Sequence, residues 1–345
     1  MSQVPKPASG GCLKARPLLI GLPVLALALG LGGFSFYWYR FSEANAAMQA
    51  SPAPIDGERA FGYLKNLCAM GPHVAGTGAN TKFRQFAAEH FRKHGAKVRE
   101  QLFQAPHPRT GQAVNMVNLI VSWFPERTRR VVIGAHYDTR PFPDEERDPA
   151  KRKIPFIGAN DPASGVALMM EMAHHLSTLN TQWGIDLVLF DGEELVFGSG
   201  PEHEGEYFLG SKAFAKDYAD SADAGLISYR YAAGIVLDLI AGKDVQLKQE
   251  PYSIDFAPGL VKEIWSVARR LKTKAFKDKV GRAVLDDHLP LNNAGIPSID
   301  IIDFDYPHWH KASDLPENCS AQSLAQVGQV LTAWLAQPQA RRKTR

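Results

Sequence analysis

The chain of 345 residues is 45% hydrophobic and 22% charged, proportions that allow a sizeable core and exclude wholesale disorder. A formal net charge of +3 excludes a nucleic-acid footprint, and the densest basic run, Arg341, Arg342, Lys343 and Arg345, reads as a solvated tail over 337–345. Three cysteines, Cys12, Cys68 and Cys319, supply neither a disulfide framework nor a thiolate zinc site, although a Cys68 to Cys319 bridge stays open.

Residues 17–39 form an uncharged apolar run, and about 20 such residues cross a bilayer core. Lys6, Lys14 and Arg16 precede it, which places segment 1–16 in the cytoplasm and the rest of the chain outside. Phe34, Phe36, Tyr37, Trp38 and Tyr39 suit a membrane interface. Ala44, Asn45 and Ala46 offer a small-residue cleavage site, but the run exceeds the ~7–15 residues of a signal-peptide core. The expectation is therefore an uncleaved signal anchor, then a linker over 40–56 with Pro52 and Pro54, then one folded domain over 57–336. That domain would lie in the periplasm or outside the cell, tethered to the membrane, or secreted if the segment is cleaved.

Helical periodicity covers 58–70 and 80–94, each stopping near a glycine. Strands follow at 114–121 and 131–135, a helix at 163–176, a strand at 185–190, a helix at 211–218 and a strand at 233–239. A helix at 258–271, a strand at 298–302 and a helix at 321–334 complete the pattern. This alternation predicts an α/β fold, a three-layer α/β/α sandwich around a mostly parallel, mixed central sheet. In such sheets ligands gather beyond the carboxyl ends of the strands. His136 follows the second strand, Glu193 and Glu194 the third, Asp238 ends the fourth, and His310 lies one loop beyond the fifth; Asp161 opens a helix after the small residues Gly158, Ala159 and Asn160.

His136, Asp161, Glu194, Asp238 and His310 offer two imidazoles and three carboxylates, ligand types that suit one or two zinc ions where thiolates are absent. Taken singly each has an ordinary explanation: Asp161 as a helix cap, Asp238 in a turn, His136 bonded to backbone, Glu194 solvated. Their joint position at strand ends in apolar surroundings favours metal, because unpaired buried carboxylates are expensive. Glu193 points away from its neighbour and is free to move protons.

The succession GAHYDTR at 134–140, GANDPASGVALMMEMA at 158–173, FDGEE at 190–194, GSKAF at 210–214, LDLI at 237–240 and DDHLPLNNAGIP at 286–297 resembles the zinc aminopeptidase and glutaminyl cyclase superfamily. The likeness spans roughly 58–334. It implies a zinc aminopeptidase-like fold, with Asp161, Glu194 and His310 as zinc ligands, His136 and Asp238 as the remaining positions of a two-metal site, and Glu193 as acid and base. Aminopeptidases of the family hydrolyse the first peptide bond; cyclases close an N-terminal glutamine into pyroglutamate and release ammonia, typically with one zinc.

Three features resemble the cyclases: Asp286, Asp287 and His288 read DDH, Trp309 directly precedes His310, and a loop over 195–208 separates FDGEE from GSKAF. On that branch Asp286 and Asp238 act with Glu193, and Trp309, Asp300, Phe197 and Tyr207 serve the substrate. The chain departs from the branch in two places. No tryptophan stands in 195–208, so Phe197 or Tyr207 takes that role, and Asp300 occupies a position where cyclases carry histidine. The expectation is a glutaminyl-peptide cyclotransferase-like enzyme acting on peptides with a free N-terminus, with a zinc aminopeptidase as the alternative. A third reading, an inactive binding ectodomain, is disfavoured by retention of all five ligand positions and Glu193.

Overall fold

The computed structural model describes residues 55–198 and 201–337; the apolar run 17–39, the flanking 1–16 and 40–54, and the basic tail from 338 lie outside the described residues. No helix among the described residues is long and apolar enough to cross a membrane.

Helix α1 (Gly57–Ala69) begins where the Asp56 carboxylate accepts the Arg59 amide, and it buries Ala60, Leu64, Leu67 and Cys68 on one face. Thr77 caps α2 (Gly78–Lys93) in the same way, and Phe83, Ala87 and Phe91 face inward. The chain then runs through β1 (Lys97–Pro106), β2 (Ala113–Trp123), β3 (Arg129–His136), α3 (Ala163–Leu176) and β4 (Gly184–Phe190). After these come α4 (Leu209–Asp223), β5 (Arg230–Asp238), β6 (Leu247–Gln249), α5 (Pro251–Phe256) and α6 (Pro258–Leu271). The last elements are β7 (Phe276–Val280), α7 (His288–Asn293), β8 (Ser298–Ile302) and α8 (Ala321–Leu335).

Six strands form one sheet in the order β1-β2-β4-β3-β5-β8. The β1–β2 and β2–β4 pairs are antiparallel, whereas β4, β3, β5 and β8 run parallel. Side chains alternate across it: Val131, Ile133 and Ala135 of β3 join the core shared with α1, α2, α3, α6 and α8, while Val132 joins Phe214 of α4 and Leu291 of α7 on the other face. The three-layer expectation holds. The sequence reading missed β1, β6, β7, α5 and α7, and α4 extends further at both ends than 211–218. The carboxyl ends of the four parallel strands share one edge of the sheet, where the predicted site residues meet.

Candidate active site

His136 is the last residue of β3 and Asp238 the last of β5. Beyond β4 the backbone turns at Gly192 with φ +73°, where a Cβ would fall 2.4 Å from Met116 Sδ, so only glycine makes this turn. The turn delivers Glu193 and Glu194. Asp138 fixes their direction: its carboxylate accepts the Glu193 amide at 2.9 Å and the Glu194 amide at 3.1 Å.

Asp161 does not cap α3. Pro162 occupies the N-cap with no side-chain cap bond, which leaves the Asp161 carboxylate for the site. Its backbone is held by Asp314, which accepts the Asn160 amide at 2.9 Å and the Asp161 amide at 3.1 Å. His310 sits in the left-handed region at φ +52°, a conformation that costs a non-glycine residue about 1–3 kcal/mol and is retained where function needs it.

These elements bring the expected ligands together. His310 Nε2 lies 2.6 Å from Glu194 Oε1 and 3.5 Å from Asp161 Oδ2. His136 Nε2 lies 3.0 Å from Asp161 Oδ1 and 3.6 Å from Asp238 Oδ1. Asp161 thus stands between two imidazoles, one oxygen toward each. Asp161 Oδ1, Glu194 Oε2 and Asp238 Oδ1 are buried with no hydrogen-bond donor. Oxygens left in that state beside imidazole nitrogens fit a divalent cation of zinc's ligand preference.

A further layer orients the expected ligands. Asp144 Oδ1 is 3.3 Å from His310 Nδ1, the carboxylate–histidine pairing that fixes a ligating imidazole. Arg140 donates to Asp144 at 2.8 and 2.7 Å and to Glu194 Oε1 at 3.2 Å. Burial pulls the His310 imidazole down, but Glu194 and Asp144 outweigh it and lift it to about 9. Burial likewise opposes ionisation of Asp144, yet His310 and Arg140 hold it at about 2. Negative charge is in excess here, and a divalent cation held by Asp161, Glu194 and His310 would offset it.

Burial pushes the Glu193 carboxyl well above the ordinary range; His136 opposes this, and Glu194, Asp287 and Asp286 reinforce it. Burial, then the Asp161 charge, raises Asp238 to about 7. A raised carboxyl in a cleft can take and return protons near neutral pH.

The ligands open on a cavity of about 250 Å³, also lined by Glu193, Tyr207, Phe208, Asp286, Phe304 and Trp309. Trp309 stacks on His310 with ring centroids 3.8 Å apart and planes 26° apart. Two expected substrate residues do not line this cavity. Phe197 packs between His107 and Phe142, with centroids 4.9 and 6.2 Å away, beneath the Arg109 guanidinium. Asp300 is fully buried in a cluster with Asp286 and His288. Sequence reasoning left out Phe208, Asp138, Arg140, Asp144 and Asp314. Asp138 and Arg140 stand inside the GAHYDTR motif, which was the available signal.

Fold and site together define the class: a zinc-dependent enzyme built on a three-layer α/β/α sandwich. The chain belongs to peptidase family M28, whose sequence pattern matches residues 118–335. Among solved structures it is similar to the glutaminyl cyclase of Fimbriiglobus ruber, with 42% identity, a TM-score of 0.80, and coverage of 84% of this chain and 97% of that one. It is also similar to a Zn-dependent exopeptidase of Parabacteroides distasonis, with 31% identity, a TM-score of 0.73, and coverage of 81% and 97%. The glutaminyl-peptide cyclotransferase of Gloydius blomhoffii is 26% identical over 276 residues, 70% of each chain.

Proposed function

We propose that this enzyme converts the N-terminal glutamine of peptides to pyroglutamate and releases ammonia. The observation that carries the reading is the cavity itself, where Trp309 lies stacked on His310 and Asp286 and Glu193 share one small space. Its volume of about 250 Å³ suits one side chain and a peptide end.

Asp161, Glu194 and His310 would hold one zinc ion, with His136 and Asp238 beside it. When bound, zinc polarises the side-chain carbonyl of the glutamine. Trp309 and Tyr207 position that side chain so that the peptide's own α-amine meets the carbonyl carbon, and holding the two groups together supplies much of the rate. Glu193, in its ionised form, takes a proton from the attacking amine and passes it to the departing amide nitrogen. Asp286, whose Oδ2 is buried without a donor, accepts a hydrogen bond from that nitrogen. One C–N bond forms, the amide C–N bond breaks, and ammonia leaves. Phe208, Ile302, Phe304 and Trp309 give the cavity an apolar wall that keeps water from competing.

Asp286→Asn, which replaces a charged acceptor by a weaker neutral one, and Trp309→Ala are expected to lower cyclisation while leaving zinc content unchanged, because neither residue is a proposed ligand. Normal rates in both variants would overturn this reading. One observation favours a zinc aminopeptidase instead: His136, Asp161 and Asp238 form a second ligand set next to the first, as a two-ion hydrolase requires. We further infer that residues 17–39 anchor the catalytic domain 57–336 outside the cytoplasm, on the strength of their length, lack of charge and preceding basic residues.

A further inference from the structure

We propose that His90, His94 and His174 form a second metal site, made of imidazoles alone, which takes a zinc-like divalent ion from solvent. His90 and His94 stand one turn apart at the end of α2, and His174 reaches them from the end of α3. The ring centroids are 4.4 Å apart for His90 and His94, 4.1 Å for His94 and His174, and 5.7 Å for His90 and His174. One nitrogen from each ring lies within 4.8 Å of the others.

Hydrogen bonds leave lone pairs for an ion. His90 Nε2 is 2.8 Å from the Met170 carbonyl and His94 Nδ1 is 2.9 Å from the His90 carbonyl. A carbonyl only accepts, so both of those nitrogens carry hydrogen, and His90 Nδ1 and His94 Nε2 are left as lone-pair donors. Carbonyls bonded to the far nitrogen are the usual means of orienting a metal-ligating histidine. His174 Nε2 lies 2.7 Å from the Tyr63 hydroxyl, and donation to that oxygen frees Nδ1.

Burial opposes protonation of two of the three rings. Burial, then His94 and Arg59, holds His174 down to about 4, and burial lowers His90. The nearby cations are already paired: Arg59 with Glu171 at 2.6 Å, and Lys93 with Glu89 at 3.0 Å. All three rings are partly exposed, so an ion has access and water can complete a tetrahedral shell. The cluster sits at the opposite end of α3 from Asp161, since the helix rises about 17 Å from Ala163 to His174 at 1.5 Å per residue. A bound ion therefore cross-links α2 to α3 without touching the catalytic groups.

The test is equilibrium dialysis of the zinc-loaded enzyme against micromolar Zn²⁺ with excess Mg²⁺, followed by metal analysis. Wild type is expected to hold one more zinc per chain than His94→Gln or His174→Gln, with turnover unchanged in all three. Equal zinc in wild type and variants would overturn the proposal. A measurement on the wild type alone guards against a misfolded variant: zinc should protect His94 from carbethoxylation by diethylpyrocarbonate, read by peptide mass. Modification at the same rate with and without zinc would contradict the site.

Discussion

Glu193 and Glu194 are adjacent and differ in role because their neighbours differ. Glu194 faces His310 and Arg140, which outweigh burial and keep it ionised, whereas burial leaves Glu193 with a raised carboxyl. Glu193→Gln preserves shape but cannot take up or release a proton, so turnover is expected to fall by ~10²–10⁴-fold with zinc retained; wild-type turnover would remove Glu193 from the mechanism. His73 gives a stability prediction. It is buried, stacks on Phe83 at 4.0 Å and donates through Nδ1 to the Gly71 carbonyl at 2.9 Å. Burial lowers it from 6.5 to about 4. Above pH 6.5 it is neutral folded or unfolded and costs nothing; as pH falls toward 4 only the unfolded chain gains the proton, so stability drops, by up to about 3 kcal/mol. Urea melts of wild type and His73→Gln should therefore converge between pH 7 and 4.5, since the variant lacks this acid penalty. Curves that stay parallel would show that His73 is not held neutral.

At the scale of elements, α3 couples packing to the site. A Cβ on Gly165 would sit 2.7 Å from Ala135 Cβ and 2.8 Å from the Leu237 carbonyl, each one residue before a proposed ligand. Gly165→Ala is expected to push α3 off β3 and β5, costing about 1–3 kcal/mol, and to lower zinc affinity. An unchanged urea midpoint and zinc content would contradict that coupling. The boundaries of α3 and α6 were legible because both carry long apolar periodicity, and α6 begins with Pro258 in its first turn. β1 was not, because as an edge strand it exposes most of its residues and shows no apolar run. α5, α7, β6 and β7 are too short to show a period. The residues that orient the ligands escaped for another reason: Asp144 and Asp314 act through contacts that folding creates, and local pattern does not mark them. Phe197 was expected in the cavity as a stand-in for a loop tryptophan, and Asp300 as the replacement of a histidine; the fold turns the first toward Arg109 and buries the second in a cluster with Asp286 and His288.

For the whole molecule, the parallel part of the sheet explains why residues from 136 to 310 converge: every strand that ends at the site ends on the same edge. All proposed catalytic groups lie within residues 50–345, one unit by its internal contacts. A chain beginning at Ser51 is accordingly expected to be soluble, zinc-binding and active; a folded but inactive product would mean that the N-terminal segment has a role beyond the anchoring proposed for it. The central claim is tested most directly by giving this chain, loaded with zinc, a short peptide that begins with glutamine, and weighing the products. The account predicts a pyroglutamyl peptide of unchanged residue count and one ammonia per peptide. Free glutamine with a peptide one residue shorter would contradict it and return the site to hydrolysis.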